Sequence, residues 1–187
     1  MKNLVGMPSR TTDEAGISLV EVIMYSALSA LLLSVLGGLF YAGFTTQASA
    51  AGRNAATGSA VVASNSLQTA VRNASSISVT GTVLKARVAT GASGWQCVAW
   101  ALTVDNKLVY KTSSVAITSS TDYSGWATLA TGVLGRLESG DAFIGDSTKV
   151  SYSLAFATGR ITDPNPVPVA GAVTASALGP GSPESCW

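Results

Sequence analysis

The chain has 187 residues, enough for one domain and an additional element. Charged residues make up 11% of it and hydrophobic ones 47%, against about 25% charged in an ordinary globular chain, which excludes a disordered polyelectrolyte. A net charge of +1 argues against a broad nucleic-acid-binding face. With no histidine and two cysteines, the chain lacks the commonest general base and the ligand sets of the usual zinc sites, so no metal, no cofactor and no enzymatic activity is expected.

Residues 1–16 are polar and carry Lys2 and Arg10 against Asp13 and Glu14. From Ile17 to Phe44 the chain is apolar apart from Glu21, and the 23 residues from Val22 to Phe44 hold no charge and no proline. At about 1.5 Å per residue such a helix crosses a hydrocarbon core of about 30 Å. The basic residues ahead of it place residues 1–16 in the cytoplasm and the rest outside. Two plain readings are a secretory signal peptide, with Ala48-Ser49-Ala50 as its cleavage site, and a single-pass anchor. A signal peptide has an apolar region of about 7–15 residues, far shorter than this one. An anchor leaves Glu21 unexplained.

The segment Gly16-Ile17-Ser18-Leu19-Val20-Glu21-Val22-Ile23 resembles the processing site of type IV pilins and type II secretion pseudopilins. In that family the leader ends in glycine, the mature chain starts with a hydrophobic residue, and glutamate is its fifth residue. Gly16, Ile17 and Glu21 match these positions; the phenylalanine and threonine common in the family are here Ile17 and Ser18. The resemblance implies cleavage after Gly16 by a prepilin peptidase and N-methylation of Ile17. It also implies a role in subunit assembly for Glu21. An ionisable group inside hydrocarbon costs several kcal/mol unless paired or neutralised. Cleavage creates an amine on Ile17, about 6 Å from Glu21 along the helix axis, and a carboxylate of one subunit can meet the amine of the next. Snorkelling of Glu21 to the lipid headgroups is the alternative. Gly37, Gly38 and Gly43 each cost a helix about 1 kcal/mol relative to alanine and permit either close packing or local melting.

Residues 45–75 are rich in Ala, Ser, Thr, Asn and Gln. Val61, Val62, Leu67, Gln68, Val71 and Arg72 suggest an amphipathic continuation to around Arg72, and no proline occurs between Pro8 and Pro164. Gly52 and Gly58 weaken the case for continuity. After Ser75 the period becomes two, beginning with Ile77, Val79 and Val83. Val98, Trp100, Leu102 and Val104 alternate, Asp105-Asn106 is a turn, and Lys107 to Lys111 completes a hairpin. Trp126, Leu129, Val133 and Leu137 have the spacing of a short helix. Val150, Tyr152, Leu154 and Phe156 alternate again. Pro164, Pro166 and Pro168 mark a loop or an edge, and Val167 to Ala175 reads as a last strand. The expected fold is α+β and pilin-like: a long N-terminal helix, half transmembrane and half amphipathic, on an antiparallel sheet of about four to six strands. Its parts are a leader (1–16), a transmembrane assembly helix (17–44), an amphipathic continuation (45–75) and a β-rich domain (76–187).

Cys97 and Cys186 both fall in the part expected outside the cytoplasm, where disulfides persist. The family often carries a disulfide near its C-terminus, which implies a Cys97–Cys186 bond tying down a tail rich in Gly, Pro and Ser. Trp95, Trp100, Trp126 and Trp187 read as core and disulfide cover in preference to an adhesive surface. The expected function is structural: a minor pilin or pseudopilin that primes, caps or enters a filament. Its partners would be other pilin subunits, the prepilin peptidase, an inner-membrane assembly platform and, before assembly, membrane lipid. Its location would be the cytoplasmic membrane with an exported domain, then a pilus or pseudopilus. A membrane-tethered binding module that never polymerises is the alternative.

Overall fold

The computed structural model describes residues 16–91, 94–118, 122–159, 165–177 and 186–187. The residues before Gly16, together with Asp163, Pro164 and residues 178–185, lie outside the described residues.

A single helix, α1 (Leu19–Arg72), runs for 54 residues. Gly52, Gly58 and the Ala48-Ser49-Ala50 segment lie inside it without a break. Hydroxyl groups along it bond back to the helix itself. Ser26 Oγ donates to the Ile23 carbonyl (2.9 Å), Thr46 Oγ1 to that of Ala42 (2.9 Å) and Thr57 Oγ1 to that of Arg53 (2.8 Å). These polar groups are thereby satisfied without any partner outside the helix. Arg72 sits in the last turn, where a cation complements the helix dipole. Asn73 N–H bonds the Thr69 carbonyl (3.2 Å), and a strand begins at Ala74, so the helix ends at Arg72, where the sequence implies.

The chain divides into two compact units, Met1–Thr46 and Gln47–Trp187. In the first, every described residue is exposed, and its helix is the one among the described residues long and apolar enough to cross a membrane. In the second, α1 buries Ala56, Ala60, Ala63, Leu67 and Val71, a stripe spaced three and four apart, as one helix face requires. Val61 and Val62, expected on that face, are instead 52% and 56% exposed. The stripe is mostly alanine, which lets the helix backbone approach the strands closely. At Gly52 the approach is tightest: a Cβ there would collide with the Thr158 carbonyl oxygen.

Nine strands form two antiparallel sheets among the described residues, where one sheet of four to six was expected. The first is a meander of β1 (Ala74–Thr80), β2 (Val83–Ala89), β3 (Trp95–Leu102), β4 (Lys107–Ser113) and β5 (Ala127–Thr131). The second has β8 (Lys149–Phe156) at its centre. It pairs with β6 (Val133–Gly135) and β7 (Phe143–Gly145) and with β9 (Val167–Thr174). Pro168 therefore lies on a strand with a single partner, where a missing N–H is tolerated. The expected hairpin is β3–β4. Its turn is one residue longer than the expected Asp105-Asn106 pair: Thr103 N–H bonds the Lys107 carbonyl (2.9 Å) and Asn106 takes φ 58°. Val104 thus sits in the turn, 98% exposed, and not on the strand face.

The helix expected over Trp126–Leu137 is absent. Its residues form β5 and β6, which belong to different sheets. Gly132, at φ 70°, turns the chain between them, a conformation that excludes helix and favours glycine.

One core joins α1 to both sheets, with Trp100, Phe143, Phe156, Leu67, Ile77, Leu84, Leu108 and Leu154 fully buried. Truncating such an aromatic typically costs about 3–5 kcal/mol. Trp100 also tilts against Tyr110 (5.4 Å between centroids) and donates Nε1–H to Ser66 Oγ (3.3 Å). The opposite face of β2–β3 is covered by a second cluster of Cys97, Ala99, Ile117 and Cys186, with Trp126 against it.

Candidate assembly site and disulfide-bound end

Ser18 closes the start of α1. Its carbonyl accepts from Glu21 N–H (2.9 Å) and Val22 N–H (3.2 Å), so Ser18 is the N-cap and Glu21 the third helical residue. A carboxylate in the first turn is favoured by the exposed N–H groups and the helix dipole. Ser18-x-x-Glu21 is also a capping-box pattern. Ile17 precedes the cap and is 75% exposed.

Gly16 has nothing within 4 Å of where a Cβ would stand, so no contact among the described residues calls for glycine there. The same holds for Gly37, Gly38 and Gly43 within the helix. Each lowers the intrinsic stability of an exposed helix without gaining a contact among the described residues.

Cys97 and Cys186, 89 positions apart in sequence, form a disulfide with Cα atoms 5.4 Å apart. It holds the chain's end on the face of β3. The Cys186 carbonyl accepts from Ile117 N–H (2.8 Å), and the Ile117 carbonyl accepts from Lys85 Nζ (2.8 Å). Lys85 stands opposite Ala99, and Arg87 opposite Cys97, in the β2–β3 register. Both cations are therefore covered, and both are buried. Desolvation lowers the Lys85 pKa. Arg87 carries its guanidinium 5.4 Å from the Trp95 ring centroid, a cation–π distance.

Of the four tryptophans, Trp100 is in the core and Trp126 borders the disulfide cluster, as the sequence implied. Trp95 and Trp187 remain partly exposed. Among the described residues no three His, Cys, Asp or Glu side chains come together as a metal site would need. Comparison with protein-family models, with curated proteins and with solved structures finds no match to this chain.

Proposed function

We propose that this chain is a structural subunit of a type IV pilus-like or type II secretion-like filament, a minor pilin or pseudopilin with no catalytic role. The observation that carries the reading is the order of parts at the head of α1. A glycine that no contact among the described residues explains is followed by a hydrophobic residue, then by a lone acid in the first turn of a helix whose apolar first half, to Thr46, is exposed throughout. In this reading a prepilin peptidase cuts after Gly16, Ile17 becomes the N-methylated first residue, and the helix resides in the cytoplasmic membrane before it joins other subunits. Glu21 then pairs with the amine of a neighbour's first residue. At low dielectric such an attraction is strong enough to set register. The bare glycines of the helix give neighbouring helices room for close approach.

A second reading, a membrane-tethered exported module that does not polymerise, is favoured by the capping-box pattern. That pattern gives Glu21 a role local to its own helix. Two substitutions separate the two readings, because a capping box accepts glutamine as well as glutamate. In the filament reading, Glu21→Gln and Glu21→Ala are both processed, and both fail to enter sheared fibres. If Glu21→Gln enters fibres normally, the charge pairing is wrong. N-terminal sequencing of the cellular protein tests the cleavage: a start at Ile17 supports the filament reading, and a start at Met1 refutes it.

A further inference from the structure

A cleft of about 760 Å³ opens within the Gln47–Trp187 unit where three turns meet. Such a size suits a small ligand. The first wall is the β3–β4 turn with Asp105, Asn106 and Lys107; the second is the Tyr123–Trp126 turn preceded by Asp122; Gly140 closes the third side.

These walls are fixed before any ligand arrives. The Asn106 carbonyl accepts from Val133 N–H (2.9 Å), which ties the hairpin turn to β6. Thr103 Oγ1 accepts from Lys107 N–H (3.2 Å). The Tyr123 carbonyl accepts from Trp126 N–H (3.1 Å), with Gly125 at φ 80° between them. Asp122 accepts from Ser124 N–H (2.8 Å) and Ser124 Oγ (2.9 Å). The Tyr123 and Trp126 rings brace each other edge-on, 5.2 Å apart and 88° between planes. A site held in this way loses little conformational freedom on binding.

The lining has a definite chemistry. Tyr123 and Trp126 are half-buried and line the cleft, Tyr123 supplying ring surface while Lys111 Nζ lies 5.8 Å from the Trp126 ring centroid. Asp105 and Asp122 supply acceptors, Lys107 donors, and the Asn106 amide both. Two carboxylates against one ammonium disfavour a phosphate or any other anion. The combination suits a ligand that has apolar C–H faces for the rings and a ring of hydroxyl groups for the carboxylates and the amide. We propose that this cleft binds a neutral glycan of one to a few sugar units. A sugar stacks a C–H face on Tyr123 while its hydroxyls donate to Asp105 and accept from Lys107 and Asn106. The inference does not depend on whether the chain enters a filament.

The test uses the full chain in dodecylphosphocholine micelles, a detergent without a sugar headgroup. Amide and indole N–H resonances are followed while cellotetraose, chitotetraose, maltotetraose or galactose is added, each to about 20 mM, a range that reaches millimolar affinities. A tetralysine peptide is the comparison probe. The expected result is saturable shifts at Asn106, Tyr123 and the Trp126 indole with at least one sugar, and none at the Trp95 indole. Asp105→Ala and Tyr123→Ala should weaken that binding at least tenfold with the rest of the spectrum retained. Trp126 is left intact because it also packs against the disulfide cluster. Absence of saturable shifts with all four sugars overturns the proposal, as does saturation by tetralysine alone or unchanged binding in both variants.

Discussion

The Tyr152 hydroxyl, projecting from the middle of β8, lies 2.8 Å from Ser64 Oγ on α1. Gln68 Nε2 reaches both, at 2.9 Å to the Tyr152 hydroxyl and 3.0 Å to Ser64 Oγ. This triangle is the polar fastening between helix and second sheet, set among alanine contacts that leave little room for error. Tyr152→Phe removes its apex and leaves Ser64 and Gln68 short of a partner. The expected loss is about 1–2 kcal/mol, read from urea unfolding followed by circular dichroism.

Gly171 is the register partner of Tyr152, and a Cβ on it would stand 2.7 Å from the tyrosine hydroxyl. Gly171→Ala therefore pushes Tyr152 off Ser64. Because the hydroxyl is held from the helix side, the ring cannot give way without cost. We expect destabilisation of about 1–3 kcal/mol, as overpacking commonly brings. The two effects should be less than additive in Gly171→Ala/Tyr152→Phe, since they act on one contact.

Gly52→Ala would normally strengthen a helix by about 1 kcal/mol. Here the added methyl meets the Thr158 carbonyl oxygen, so the expected sign is reversed and the midpoint of unfolding falls. Gly58→Ala, with open space around it, should raise it. The pair is a direct check of the helix's approach to the end of β8.

Replacing Cys97 and Cys186 by serine frees a loop spanning 89 positions. In the chain-entropy account this costs about 4–5 kcal/mol. It also releases the Cys186 carbonyl from Ile117 and opens the cover over Lys85. The expected readouts are a lower unfolding midpoint and faster hydrogen exchange at Ile117 and Ala99.

Asp146 carries the pH dependence of the β7–β8 turn. Its Oδ1 accepts from Thr148 N–H (2.7 Å), Thr148 Oγ1 (2.8 Å) and Lys149 N–H (2.8 Å). The bond from the Thr148 amide, then that from its hydroxyl, then that from Lys149, hold the carboxyl below its ordinary range. A depressed carboxyl pKa stabilises the fold at pH above the unfolded value, near pH 4, and that contribution fades as pH falls through the folded pKa. Asp146→Asn should therefore be less stable than the parent near neutrality and approach it as pH falls through the folded pKa of Asp146, as acid titration monitored by fluorescence would show.

Local pattern made much of this legible. β3–β4 and β8 could be read because Val98, Trp100 and Leu102, like Val150, Tyr152, Leu154 and Phe156, alternate against one core. The end of α1 was legible within a few residues because the period changes at Ser75. Trp126, Leu129, Val133 and Leu137 misled because their spacing mimics a helical stripe, while the deciding residue is a glycine, Gly132, at positive φ. Lys85 and Arg87 sit at polar positions of an alternating strand, and nothing nearby in the chain announces that they are covered. Their cover comes from Ile117 and Cys186, distant in sequence. The helix-head motif could be read from consecutive residues. The cleft could not, since Asp105, Tyr123 and Gly140 come from separate segments that only folding brings together.

The cystine also decides how the protein bears tension. A pull between α1 and the last residue passes from β3 straight through the sulfur bridge to Trp187. Everything threaded between Cys97 and Cys186, including β4 to β9, is short-circuited and cannot be drawn out. Only α1, β1, β2 and the approach to Cys97 can pay out under load, so the oxidised molecule is a short tether and the reduced one a long tether.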